Sequence, residues 1–301
     1  MTRRPQIALL PDGKRLHLQD GPIDLIVEAT GSETAVRAAY DAAVCRFTGL
    51  LDGLCMELGE LRKAAHPMHC ALHGDVARRM HAAVAPFAAD RFITPMAAVA
   101  GSVAEEILGA MLEAALLDRA YVNNGGDIAL HLAGYEQFTV GLIDRPDRRG
   151  LLQTMVIGAD DPIRGIATSG RHGRSFSFGI ADAVTVLART ASAADAAATV
   201  IANAVDLPGH PKIVRRPANE LQPDSDLGPR LVTREVGPLS AREIADALEA
   251  GAVCARQCLA AGLIEGAALR LFGETVIVRA RAPRMPESQL VHECAIENAR
   301  T

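Results

Sequence analysis

Tyr121-Val122-Asn123-Asn124-Gly125-Gly126-Asp127-Ile128-Ala129-Leu130-His131-Leu132 is the stretch from which the fold can be read. A short strand starts at Tyr121, breaks at the polar insert 123–127, and a second strand follows over 128–132. Paired glycines carry no Cβ, so backbone N–H groups can approach a ligand closely and form an anion-binding nest. Asn124 and Asp127 would add side-chain hydrogen bonds. A tight turn, with Asn and Asp as turn formers, accounts for the same residues.

The pattern extends in both directions. Upstream, 14–19 and 23–29 read as a strand hairpin across Asp20-Gly21-Pro22. A helical pattern over 33–63 carries Leu50, Leu51, Leu54, Leu58 and Leu61 on one face, and Pro67 interrupts it. Residues 75–84 form a shorter helix, and a longer one starts after Thr94-Pro95 and runs to about 117. Downstream, 138–143 makes a further strand after a turn at Ala133-Gly134. The order then recurs, with strands at 152–157, 164–168 and 183–188, helices at 191–205 and 241–261, and strands at 267–272 and 275–280. Residues 206–230, rich in Pro, Asp and Gly, read as a long loop or lid, and the tail after Pro283 as polar and extended. The expectation is a single α+β domain over 1–301, built from halves at roughly 14–145 and 150–282. It has two antiparallel sheets, each covered by helices, and its site lies between the halves.

Composition narrows the function classes. The chain has 301 residues, 49% of them hydrophobic, which is enough for a core without disulfides. A net charge of −5 argues against a nucleic-acid partner, and with 3% aromatic residues and no Trp, base-stacking platforms are not expected. The N-terminus lacks a signal-peptide pattern and no run approaches 18 apolar residues, so a cytoplasmic protein with no membrane partner is expected. The six cysteines then read as reduced and mostly buried. Alanine-rich helices suit subunit packing, and a homodimer is expected.

Several groups could carry chemistry. Thr168-Ser169-Gly170-Arg171 ends a strand with two hydroxyls, a glycine and a cation, which suits a phosphate but is also an ordinary polar loop. Asp195 and Thr199 lie four apart on an alanine-rich helix, so both oxygens share a face. That pair suits Mg²⁺, with waters or ligand phosphates completing the shell; alternatively Asp195 is a helix cap. His66, His69, Cys70, His73 and His81 crowd one segment, and His69 with His73 would suit zinc if helical, although solvated histidines explain them as well. Arg78-Arg79 reads as a solvent-facing pair or a phosphate contact. No Walker loop, GxSxG or dinucleotide fingerprint is present.

In order along the chain, Asn124-Gly125-Gly126-Asp127, Ala167-Thr168-Ser169-Gly170 and Ala194-Asp195-Ala196 through Thr199 resemble the ApbE superfamily, the FAD-dependent FMN transferases. The stretch 94–101, Thr-Pro-Met-Ala-Ala-Val-Ala-Gly, is similar to that of its uncharacterised cytoplasmic subgroup. The resemblance implies a duplicated T-fold, with FAD or a related nucleotide between the halves. It further implies Mg²⁺ on Asp195, Thr199 and a main-chain carbonyl from 97–100. Asn124, Gly125, Gly126, Asp127, Thr168, Ser169, Gly170 and Arg171 would line the nucleotide. The chain departs from the transferases where they carry His-Ile-Ile-Asp-Pro-x-Thr-Gly: here 175–182 reads Ser-Phe-Ser-Phe-Gly-Ile-Ala-Asp, with Asp182 as the one acid available as a catalytic base. The lysine of their Ala-Lys-Gly is also missing at Ala100-Gly101-Ser102. A Mg²⁺-dependent flavin-nucleotide protein is therefore expected, with conventional FMN transfer to a protein acceptor disfavoured. The alternative is a non-catalytic binder of, or an enzyme for, a pterin-like phosphorylated heterocycle.

Overall fold

In a computed structural model, which describes residues 5–145 and 148–279, the alternating runs pair as antiparallel strands. The first half comprises β1 (Gln6–Leu9), β2 (Leu16–Asp20), β3 (Ile23–Thr30), α1 (Glu33–Phe47), α2 (Leu50–Met56), α3 (Leu58–Leu61), α4 (Asp75–Val84), α5 (Val99–Ala114), β4 (Arg119–Asn124) and β5 (Asp127–Leu132). Period-two alternation turns Leu16, Leu18, Leu25 and Val27 toward the helices, where they pack with Phe47, Ile107 and Met111. Ser32 starts α1 by accepting the N–H of Ala35.

A two-stranded arm follows, β6 (Gln137–Arg145) and β7 (Arg148–Gly158). The second half contains β8 (Gly165–Ser169), β9 (Ala183–Ala188), α6 (Ala191–Ala204), β10 (Ile213–Pro217), α7 (Ala218–Leu221), β11 (Leu231–Val236), α8 (Ala241–Ala260), β12 (Gly266–Leu271) and β13 (Glu274–Arg279). Ser240 and Glu243 form a capping box at the start of α8.

Each half is a hairpin, a set of helices, and a second hairpin whose first strand pairs back onto the first hairpin: β3 with β4, and β9 with β12. That repeated order is the duplication expected from the sequence, in an α+β fold of antiparallel strands covered by helices. The two half-sheets do not stand apart. They join edge to edge through Ile128↔Ile166 and Ala129↔Gly165, giving one nine-stranded sheet in the order β1-β2-β3-β4-β5-β8-β9-β12-β13. Pairing two otherwise open edges satisfies backbone groups that would face solvent.

Other differences have local causes. The helix expected over 33–63 breaks at Thr48, whose hydroxyl bonds back to the Val44 carbonyl, and at Gly49, which sits at φ +82°. The strand from Arg119 runs through Asn123 and Asn124, so only Gly125-Gly126, at φ +65° and +114°, make the turn. Residues 152–157 belong to the β6–β7 arm rather than to the second half-sheet; Ile157 packs there with Leu130, Leu132 and Ile166. The segment 206–230 is structured: β10 pairs with β11 and α7 follows it. Pro95–Ala114 has the length and mean hydropathy (1.3) of a membrane-crossing helix, but half of it is buried and its apolar side chains fill the core. Cys254 and Cys258 are buried as expected, whereas Cys45, Cys55 and Cys70 are free thiols on the surface, because they fall on solvent-facing positions; Cys294 and the tail lie outside the described residues.

Candidate functional site

A cavity of about 530 Å³ opens where the start of α5, one face of α6, the start of β5 and the end of β8 converge. Asp127, Ser169, Asp195 and Thr199 all face it, so the structure gathers residues from all three sequence motifs. The i, i+4 spacing on α6 is what places Thr199 beside Asp195. Helix α5 has no capping side chain of its own, since its N-cap is Ala98. Asp195 supplies the cap from the other half by accepting the Gly101 N–H at 2.9 Å. The two helices can meet this closely because a Cβ on Gly101 would lie 2.2 Å from the Ala191 carbonyl oxygen. Asn124 donates to the Ala100 carbonyl at 3.2 Å, fixing the glycine turn against the same helix end.

Both carboxylates are electrostatically uneasy. Burial pushes Asp195 well above the usual carboxylate range, and the neighbouring Asp127 raises it further, against the opposing backbone N–H groups of Gly101 and Ala100. Burial raises Asp127 to about 7, although the Thr168 N–H and the Arg174 charge pull the other way. A cation between them would relieve both. Among the described residues no three His, Cys, Asp or Glu side chains gather as a metal set. Two carboxylates with the Thr199 and Ser169 hydroxyls are nevertheless hard oxygen donors of the kind Mg²⁺ accepts when a ligand's phosphates or waters complete its shell. The residues present fit that ion.

The opposite wall comes from parts that sequence reasoning passed over. Phe92, Phe176 and Phe178 line the cavity, three of the seven phenylalanines in the chain, and offer faces on which a planar ring could stack. Composition reports how many aromatics exist, not where they meet. Gln222 and residues 224–227, from the segment read as a lid, also line the cavity. Asp224 pairs with Arg62 at 2.9 Å, and Asp226 accepts from the Thr94 hydroxyl at 2.5 Å. Arg230 stacks over Phe92, with its Cζ 3.2 Å from the ring centre. Arg174 also reaches the cavity; its only signal in the sequence was a place three residues beyond Arg171.

The remaining expected site residues lie elsewhere. Thr168 gives its backbone N–H to Asp127, but its hydroxyl bonds Thr185 on the neighbouring strand. Gly170 packs against the Asp182 carbonyl, where a Cβ would come within 2.5 Å. Asp182 is buried outside the cavity, and both of its oxygens are engaged. Oδ1 accepts from Arg171 at 2.6 Å and faces His172 at 3.2 Å, while Oδ2 accepts the Phe272 N–H at 2.6 Å. Phe272 has φ +47°, a conformation that costs a non-glycine residue energy, and Arg171 lies over its ring. Asp182 and Arg171 therefore hold the β12–β13 turn, and the geometry does not offer Asp182 as a base. Asp182→Ala should lower stability by about 3 kcal/mol in urea unfolding, because Arg171 is left without its partner. Ligand affinity at the cavity should stay within a few-fold, and a large loss of affinity without destabilisation would contradict this assignment.

The histidine cluster is not helical where zinc would need it. His81 is buried and bonds the His66 carbonyl, and His73 lies in the extended segment before α4. Arg78 pairs with Asp75, and Arg79 with Glu106 and Glu105.

Fold and site together define a two-half α+β protein with a carboxylate-bearing cavity at the junction. The chain belongs to the family described as AbpE bacteria, whose model matches residues 7–277. It is similar to UPF0280 proteins: 42% identical over 116 residues to that of Methanothrix thermoacetophila (38% of this chain, 46% of the relative), and 39% over 116 residues to that of Archaeoglobus fulgidus (38% and 45%). The UPF0280 protein of Methanocella arvoryzae is 36% identical over 165 residues (54% and 64%). The chain thus spans about half the length of most of these curated relatives. The crystal structure of the ApbE protein from Thermotoga maritima superposes with a TM-score of 0.41 at 12% identity, covering 68% of this chain and 88% of that one.

Proposed function

We propose that the protein binds a flavin or related phosphorylated heterocycle in the junction cavity, together with Mg²⁺. The observation that carries this reading is the placement of two carboxylates, Asp127 and Asp195, with the Thr199 hydroxyl on the wall of a cavity of ligand size. Asp195, Thr199 and Asp127 would hold the ion, which would neutralise a phosphate when bound. Phe92 and Phe178 would face the ring. The reading includes a cytoplasmic homodimer, whose mass sedimentation would check. Segment 175–182 carries no His-Asp-Pro-Thr set, so it supplies no transfer chemistry; this favours binding over conventional FMN transfer to a protein.

Calorimetry with FAD, with and without Mg²⁺, tests the reading. Affinity should depend on Mg²⁺ and fall at least about 10²-fold in Asp195→Ala, on the scale of losing a charged ligand to the ion and an N-cap together. Equal affinity in EDTA, or in Asp195→Ala, would remove the proposed site. A reduced pterin phosphate is the comparison ligand.

A further inference from the structure

Helix α6 lines the cavity with Asp195, Thr199 and Asn203, at i, i+4 and i+8. Eight residues of helix rise about 12 Å, so Asn203 stands well away from the two residues assigned to the ion. Asn203 Oδ1 accepts the Phe178 N–H at 2.9 Å and the Ser177 hydroxyl at 3.2 Å. A backbone N–H can only donate, so the amide orientation is fixed and Nδ2 is the donor left for a ligand. Segment 175–182 can lie this close to α6 because Gly179 has no Cβ, which would come within 2.2 Å of the Ala202 carbonyl oxygen. Phe178 in turn meets Phe92, with ring centres 6.5 Å apart. Two residues beyond Phe92, Thr94 gives its hydroxyl to Asp226 Oδ2, while Asp226 Oδ1 has no partner among the described residues. Around two aromatic rings the cavity thus carries one fixed donor and one acceptor.

We propose that Asn203 and Asp226 are the specificity-determining pair of this site and read the lactam edge of the bound ring. Asn203 Nδ2 donates to the ring carbonyl, and Asp226 Oδ1 accepts the adjacent ring N–H, while the phosphate lies at the Asp195 end. This rests on the heterocycle reading above and narrows it to rings that carry a carbonyl beside an N–H. Flavins and pterins share that edge. Selectivity comes from the carboxylate, because a ring with its N–H blocked would desolvate Asp226 without giving it a donor. Segment 175–182, which carries no transfer chemistry, has a role here: through Ser177 and Phe178 it holds the amide that faces the ring.

The test is calorimetry on the full-length protein in Mg²⁺, with FMN and a reduced pterin phosphate as probes, each beside its N3-methyl derivative. Methylation should weaken binding by at least about tenfold, the effect of one hydrogen bond to a charged group, and the probe that shows this penalty names the ring. Asp226→Asn keeps an oxygen for the Thr94 hydroxyl but turns an N–H toward the ring, so the penalty should shrink to within threefold. Asn203→Asp keeps an acceptor for Phe178 and Ser177 but loses the donor, and should bind that ring at least about tenfold more weakly. Mg²⁺-dependent affinity for inorganic pyrophosphate should stay within threefold in both variants, which shows that they are folded with the ion end intact. A penalty under threefold for both probes in the wild type overturns the proposal, as does a full penalty in Asp226→Asn or unchanged ring affinity in Asn203→Asp. A wild type that binds pyrophosphate but neither ring overturns the heterocycle reading, and this proposal with it.

Discussion

Gly101→Ala should lower stability by about 3 kcal/mol or more, at the top of the range for overpacking. In an exposed helix the same change would help by up to about 1 kcal/mol, because alanine is the better helix former. Here the added methyl would lie 2.2 Å from the Ala191 carbonyl oxygen and 2.8 Å from the Ser192 nitrogen. These are backbone atoms and cannot rotate away, so α5 and α6 must separate. Gly109, on the same helix, would have nothing within 4 Å of an added methyl and supplies the control. Urea unfolding should show Gly109→Ala neutral or stabilised, and Gly101→Ala strongly destabilised. The separation would also carry the Gly101 N–H away from Asp195, so Mg²⁺-dependent affinity should fall with stability. A Gly101→Ala protein within about 1 kcal/mol of wild type would show that the junction is looser than described.

The second large effect depends on pH. Asp127 has its carboxyl raised to about 7 by burial, against an ordinary value of 3.8. Because the folded-state value is the higher one, the unfolded chain ionises first as pH rises. The stability this group contributes is complete below about pH 4 and is lost progressively up to about pH 7. A shift of about three units corresponds to about 4 kcal/mol, and roughly 3 kcal/mol is expected once solvent in the open cavity is allowed for. Asp127→Asn keeps an oxygen for the Thr168 N–H and removes the ionisation. In EDTA at about pH 8 its thermal midpoint should exceed that of the wild type by several degrees, and at about pH 4 the two should coincide. Mg²⁺ should narrow the gap at the higher pH by stabilising only the wild type. A variant less stable than wild type at that pH in EDTA would be the contrary result.

Much of the fold was legible because hydrophobic periodicity is local. The hairpin 14–29, the strands around Gly125-Gly126 and helices α4, α6 and α8 all follow from spacing alone. What failed was non-local. Nothing in Ile128 or Ile166 announces that their strands join, and the pairing of β10 with β11 hides within a Pro-rich stretch that mimics a loop. The site divides in the same way. Asp127 and Ser169 reach the cavity because they sit at strand ends, and Asp195 and Thr199 because they share one face of α6. Asp182 stood out as the one acid in the segment where the resemblance places a catalytic loop, and only the fold brings Arg171 and the Phe272 N–H onto it.

The arrangement of strands also sets an order of assembly. The hairpins β2–β3, β4–β5 and β12–β13 close across turns of a few residues, whereas Thr30 and Arg119, paired where β3 meets β4, are 89 residues apart in the chain. Closing such a span costs entropy before any contact rewards it, so chains rich in distant pairings fold slowly. The short hairpins should therefore form early and the β3–β4 closure later. The seam between β5 and β8 joins Ile128 to Ile166, a shorter span of chain, so it can close before β3 meets β4. The cavity also needs α5 packed on α6, so a nucleotide added during refolding should accelerate nothing before those two helices dock.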